Sequence, residues 1–329
     1  MMKKILPLTV APIETYQGTS FVLSVILSHE NTANAYFNNY INIRCNNTYD
    51  SYEMNLDFIG VTWEDYRAKG IAEMNLYYLK NIHRDTFIEF IKERIDQGNY
   101  LLFYSVDEYY LSYSGHFQSK HNIHDTYVYG YNEDSFYIMA YKGGKLSRFN
   151  IPMLELLRAL YYQERSMENL SFCTFRPNHS VKEMIDLEMI KQSLWDYYHS
   201  ENLGNKSSTT IYGISTYNIL IQCVKTAISK FETEVFRVDL RPFRLFWEHK
   251  KVLKDHISKI SETILLDSIV KGMINEIESQ ASIIFKLMIK YKLNNDVRIL
   301  EKVVNYLTQL REKEEKLLCL LSIALGELN

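Results

Sequence analysis

YLLFYSVDEYYLSYSGHFQSKHNIHDTYVYGYNEDSFYIMAY, residues 100–141, decides how the first half of this 329-residue chain is read. Residues 106–111, 126–131 and 135–141 are rich in Tyr, Phe, Val and Ile, and Ser-Gly and Asn-Glu-Asp turn residues separate them. Aromatic and β-branched side chains suit a pleated, half-buried surface, so the pattern predicts three successive strands of one sheet. His121 and His124 stand just ahead of the middle strand, which brings a titratable ring to the edge of an apolar sheet.

Before this stretch, residues 85–97 (DTFIEFIKERIDQ) read as an amphipathic helix. Asp85 is its N-cap, Phe87, Ile88, Ile91 and Ile95 form one face, and Gly98 is the C-cap. Residues 6–12 contain two prolines and read as extended, because proline biases its predecessor away from helix. A buried helix follows, capped by Thr19 or Ser20, with Phe21, Val22, Val25, Ile26 and Leu27 at helical spacing. Residues 36–45 alternate weakly, as a strand or a helix end, and 65–79 read as irregular or helical. Past the quoted stretch, 142–145 (KGGK) predict a hairpin turn, 146–150 a returning strand and 153–163 a helix entered through Pro152.

From about residue 181 the apolar period becomes helical in the windows 181–199, 213–231, 241–263, 265–291 and 295–325. Residues 201–210 read as a polar loop, and 231–240 add at most one strand. The last window has heptad-like spacing, and its charge run 311–316 reads as a solvated face. The expected fold class is α+β: an α+β domain over 1–165, then a mainly helical domain over 180–329.

A hydrophobic share of 47% with a formal net charge of −3 is ordinary globular composition, and it argues against nucleic acid or an anionic membrane as a partner. No apolar run reaches the roughly 18 residues of a membrane span. The start, MMKKILPLTVAP, lacks signal-peptide form. A cytoplasmic protein is expected. Cys45, Cys173, Cys223 and Cys319 lie far apart, so neither a disulfide framework nor a cysteine-rich zinc site is expected. His116, His121 and His124 lack an HExxH pattern or an acidic ligand at fixed spacing, so neither metal nor cofactor is expected. That leaves hydrogen-bonded loop histidines, or an acid/base histidine that needs a nucleophile and an orienting group. Asp107, at the end of a strand-like run, is either that orienting acid or a residue tying down a turn. In the helical half, Asp239, Arg241, Arg244, Glu248 and His249 read first as ion pairs and second as a pocket lining.

The order GNYLLFYSVDEYYL, then HDTYVYGYN, then FYIMAY resembles the N-terminal domain of the butirosin biosynthesis acyltransferase family, papain-like proteins of nonribosomal peptide and aminoglycoside pathways. The likeness extends loosely over most of the chain, down to RPFRLFWEHKKVL in the helical half. It implies a papain-like first domain in which a cysteine at the start of the first buried helix attacks an acyl thioester. A histidine opening the central strand takes the proton, and an acid one strand later holds the imidazole. His124 stands at the histidine position. Gly18-Thr19-Ser20 stand where the cysteine is expected, and Ala140-Tyr141 where the acid is expected.

Three readings follow. The first is an accessory protein of natural-product biosynthesis whose Cys-His-Asp triad is degenerate and which binds a carrier protein or an acyl or peptidyl intermediate. The second is an active acyl or aminoacyl transferase or thioester hydrolase using His124 with Ser20 as nucleophile and Asp107 as orienting acid. The third is a helical scaffold that pairs as a homodimer.

Overall fold

The computed structural model describes residues 3–143, 145–162, 170–201, 209–231 and 238–326. It is mixed α and β, with an antiparallel sheet and a helical C-terminal region. The chain forms two compact units: Met1–Asn34 with Thr62–Glu183, and Ala35–Val61 with Met184–Asn329.

The first unit is built on a seven-stranded sheet. Its strands are β1 (Lys4–Ile5), β4 (Ala72–Tyr78), β5 (Tyr100–Asp107), β6 (Ile123–Tyr131), β7 (Ser135–Lys142), β8 (Lys145–Pro152) and β9 (Ser171–Pro177), in the order β4-β9-β5-β6-β7-β8, with β1 on β6. Every pairing is antiparallel. Helix α1 (Gln17–Leu27) lies on one face, where Phe21 stacks on Tyr127 at 4.2 Å and meets Tyr100 edge-on at 6.1 Å. Short α2 (Trp63–Ala68) shares that face through Trp63 and Phe175. On the other face, α3 (Phe87–Asp96) sets Phe87 against Phe103 and Phe172, and α4 (Met153–Leu160) follows β8 directly.

The quoted stretch does form three neighbouring strands, but β5 begins at Tyr100 rather than 106. It ends where the Asp107 carboxylate accepts from the Tyr109 amide and turns the chain into a 3₁₀ segment. The expected extended run 6–12 shrinks to β1, two residues long and ahead of it. Helix α1 starts at Gln17, so Thr19 and Ser20 lie inside it rather than capping it. Thr86, not Asp85, holds the N-cap position of α3.

The second unit has a small sheet, β2 (Ile43–Asn46) between β3 (Asp57–Phe58) and β10 (Thr210–Tyr212). Its helices are α5 (Leu187–His199), α6 (Thr216–Lys230), α7 (Arg241–Ile260), α8 (Ser268–Asn294) and α9 (Val297–Ala324). The helical windows are thus observed as helices. Residues 35–61, expected in the first domain, join this unit instead. Cys45 on β2 pairs with Ile211 on β10, and the Ile41 carbonyl accepts from His249 on α7. Most of the expected loop 201–210 and strand 231–240 lies outside the described residues. Among the described residues no helix is long and apolar enough to cross a membrane.

Candidate functional site

The first turn of α1 is pressed against the middle of the large sheet. The Gln17 amide nitrogen donates to the Asp125 carbonyl at 2.9 Å and to the Met139 carbonyl at 3.3 Å, tying the helix start to β6 and β7. Gly18 faces Tyr127: a Cβ placed there would stand 3.5 Å from the tyrosine oxygen. That hydroxyl is buried and has no hydrogen-bond partner among the described residues, and neither does Gln17 Oε1. A helix start also presents amides that no intrahelical carbonyl can take. A buried hydroxyl beside the helix start, and a buried amide oxygen within its first turn, are thus without a partner among the described residues.

Half-buried Asp125 and Tyr104 stand beside this point. Burial raises the Asp125 pKa, and the His124 imidazole beside it opposes the rise. Burial likewise pushes the Tyr127 phenol well up, with the Asp125 charge adding to it. The Tyr104 hydroxyl donates to Cys173 Sγ at 3.2 Å, and burial raises the Cys173 thiol pKa, so this cysteine rests as an unreactive thiol.

The histidine loop organises a second cluster around two adjacent carboxylates. Asp107, fully buried, accepts from His121 Nδ1 at 2.6 Å through Oδ2, and from the Tyr109 and Asn122 amides through Oδ1. A carboxylate can only accept, so His121 carries its proton on Nδ1 and leaves Nε2 for an outside group on a half-exposed ring. The imidazole stacks on Tyr109 at 4.4 Å and lies near-parallel to Tyr162 at 5.8 Å. Glu108 accepts from Ser114 and Asn122, with His116 and His124 each 4.0 Å away.

These positions change the pairing expected from sequence. Asp107 holds His121, not His124; across the β5–β6 ladder it opposes Ile123, while Val106 opposes His124. His124 lies beside Glu108, its ring 6.1 Å from that of Tyr141. Ser20 Oγ is buried with no hydrogen-bond partner among the described residues, and Ser20 lines a small cavity with Met139 and Arg148 that Tyr127 does not line. Gly18 rather than Ser20 therefore faces the histidine-bearing strand. Gln17 and Gly18 carry little sequence signal, because Gln and Gly in a first turn look like filler; His121 stands out in the sequence, but its pairing with Asp107 depends on how the chain between them closes.

In the second unit, α7 brings His249 and Lys250 into the core. Lys250 Nζ meets Glu314 Oε2 of α9 at 2.7 Å, donates to Tyr197 Oη at 2.9 Å, and lies 3.1 Å from His249 Nδ1. Tyr197 and Tyr217 both donate to Glu314. His249 Nε2 donates to the Ile41 carbonyl at 2.7 Å, so Nδ1 is the acceptor for the ammonium. Burial, then the Lys250 charge, holds His249 neutral, well below its usual range. Burial also lowers the Lys250 pKa, against which Glu314 pushes back. Arg244 pairs with Glu248, four apart on α7 as the helical spacing predicts, and Arg241 pairs with Asp239, which precedes the helix. Among the described residues no group of three or more His, Cys, Asp or Glu side chains is arranged to hold a metal ion.

The sequence matches no protein-family model and no curated protein.

Proposed function

We propose that the protein is a non-covalent accessory of natural-product assembly, whose papain-like first unit holds a carrier protein or the acyl or peptidyl chain it bears. The observation that carries this reading is Gly18. The helix-start residue that faces the histidine-bearing strand is a glycine, with no side chain to act as a nucleophile, and the hydroxyl it faces is the buried, high-pKa phenol of Tyr127. Covalent acyl transfer needs an activated nucleophile beside a base. Binding needs only burial and matched hydrogen bonds, to which the helix amides and the buried Gln17 and Tyr127 oxygens, without a partner among the described residues, would contribute once a ligand reaches them. An acyl carbonyl accepting from Tyr127 and the α1 amides would satisfy groups the free chain leaves orphaned.

The enzymatic reading retains one favourable observation, the His121–Asp107 pair, in which a half-exposed imidazole is fixed by a buried carboxylate. The scaffold reading rests on exposed apolar residues of the helical unit, among them Ile269, Leu293 and Ile323. The deciding experiment compares wild type, His124→Ala, His121→Ala and Ser20→Ala on carrier-linked and small-molecule thioesters, alongside binding of the acylated carrier. We expect turnover near background and retained binding. A fall in turnover of about a hundredfold or more in a folded variant would establish catalysis instead, since removing a triad member from a working enzyme costs several powers of ten. Sedimentation of the protein alone tests for the homodimer.

A further inference from the structure

Strand β4 lies at one end of the large sheet and, among the described residues, pairs with β9 alone. Along an antiparallel ladder, residues that exchange backbone hydrogen bonds with the neighbouring strand alternate with residues whose N–H and C=O point the other way. The phase is fixed at both ends of β4: the Asn178 amide donates to the Ile71 carbonyl, and the Leu79 amide to the Leu170 carbonyl. Glu73, Asn75 and Tyr77 therefore bond to β9, while Ala72, Met74, Leu76 and Tyr78 turn their backbone groups outward. No described residue takes up the outward groups of Met74, Leu76 or Tyr78. Their side chains share one face of the strand, where Leu76 is 50% and Tyr78 42% exposed. The opposite end of the sheet is guarded. Strand β8 carries Lys145 and Arg148 and ends in Pro152, residues of the kind that keep an edge from pairing.

We infer that this edge is a self-association surface, at which β4 of a second copy of the chain pairs antiparallel across a two-fold axis at Leu76. A two-fold contact needs a patch that complements itself. Centred on Leu76, the pairing sets outward backbone groups opposite outward groups: Leu76 exchanges hydrogen bonds with Leu76 of the second copy, and Met74 with Tyr78. The side chains match as well. Met74 and Tyr78 make a thioether–aromatic pair on either side of the two leucines, and Asn75 stands opposite Tyr77 on the other face. The span 74–78 (MNLYY) holds no charge, so self-pairing opposes no like charges, and an acidic or basic partner strand finds nothing of opposite sign to read along it. The nearest charges lie beyond it: Glu73, paired with Arg176, ahead and Lys80 behind. Antiparallel pairing sets these unlike ends together, rather than Glu73 beside Glu73 and Lys80 beside Lys80.

The test is sedimentation velocity of the full chain from about 5 to about 500 μM, because a contact of one strand pair belongs at the weak end of protein interfaces. A reversible monomer–dimer equilibrium is expected. Leu76→Lys sets two like charges at the axis, and Leu76→Pro removes an N–H that β9 does not use. Each should weaken the dimer by about tenfold or more. Leu293→Lys, at an exposed apolar residue of the helical unit, should leave it unchanged, and circular dichroism verifies that every variant folds. Hydrogen exchange at the Met74, Leu76 and Tyr78 amides should slow as the wild-type concentration rises, whereas the Asn75 and Tyr77 amides, already bonded to β9, should not respond. A monomer over the whole range overturns the inference, and so does a dimer unchanged in Leu76→Lys. A dimer lost in Leu293→Lys alone overturns it in favour of the helical unit. If Leu76→Pro does not fold, Leu76→Lys decides alone.

Discussion

Lys250 of α7 and Glu314 of α9 meet at 2.7 Å with neither side chain exposed to solvent. Such a pair is held against its desolvation cost only when the remaining protons and lone pairs are also satisfied. Here they are, because Tyr197 and Tyr217 donate to the carboxylate while Tyr197 and His249 accept from the ammonium. Phe246, 4.6 Å from the Lys250 nitrogen, and Tyr217, at 5.0 Å, add cation–π contacts. Breaking one side leaves an uncompensated buried charge, so Lys250→Met or Glu314→Gln should each destabilise by about 3–5 kcal/mol. The double variant Lys250→Met/Glu314→Gln should lose clearly less than the sum. Urea midpoints of the four proteins give the coupling directly. Single losses under about 1 kcal/mol would mean that the network is not closed to water.

Acid should weaken the same region through His249. Its folded-state pKa is depressed, so as pH falls below the ordinary histidine value of 6.5 the unfolded chain gains a proton that the folded chain refuses. Stability is then lost at up to about 1.4 kcal/mol per pH unit, until the folded pKa is reached. Facing the ring are the Lys250 ammonium, the Ile41 carbonyl, the Tyr197 and Phe58 rings and, at longer range, His256. His249→Gln can keep an N–H aimed at Ile41 but cannot titrate. Its denaturation midpoints between about pH 5 and 7.5 should fall less steeply than those of wild type. Equal slopes would assign the acid sensitivity elsewhere.

How much of this was legible in the sequence depended on whether a residue's partner is local. The ends of β6 and β7 lie close to where the Tyr- and Val-rich runs put them, because alternation and turn residues are local signals. Strand β4 escaped because AEMNLYY is made largely of helix formers and sits at the sheet edge with Glu73, Leu76 and Tyr78 exposed. The charge run 311–316 is solvated except at Glu314, which falls in the apolar row of Leu307, Leu310, Leu317 and Leu321 and is fully buried. The heptad register contained that signal. What it could not contain was Lys250, 64 residues earlier on another helix. Asp107 shows the same limit, since its partner was decided by closure of the 108–122 loop rather than by strand order.

Asp57 should respond to pH in the opposite sense to His249. Burial lifts its carboxyl from 3.8 to about 6, against the Phe58 amide and Arg44, which sits directly across the β2–β3 ladder. Below about pH 4 the group is protonated in both states and contributes nothing. Between there and about pH 6 the folded chain keeps a proton the unfolded chain has released, so this residue's contribution falls as pH rises. Asp57→Asn should therefore stabilise the protein at neutral pH by about 2 kcal/mol, a figure discounted for partial exposure and for the lost pairing with Arg44. The gain should vanish near pH 4. A variant less stable than wild type at pH 7 would show that the Arg44 pairing outweighs burial.

The helix start at Gly18 makes a prediction in two directions. The Cβ added by Gly18→Ala would meet Tyr127 Oη at 3.5 Å, an ordinary contact, and removing glycine from a helix gains about 0.5–1 kcal/mol. Tyr127→Phe deletes a buried hydroxyl that has no partner among the described residues, and should leave the free protein as stable or up to about 1 kcal/mol more stable. Gly213→Ala is the contrast: its φ is 57° and the new Cβ would overlap the Tyr197 carbonyl, so a loss of more than about 1 kcal/mol is expected. If an acyl chain does use the α1 start, Gly18→Ala and Tyr127→Phe should hold stability while weakening acyl-carrier binding by about tenfold, because one crowds the approach and the other removes a donor. Thermal melts and carrier titrations on the same samples separate the two effects. Unchanged binding in both variants, with the stabilities as expected, would remove the α1 start from the site and leave the His121–Asp107 cluster as the place to look.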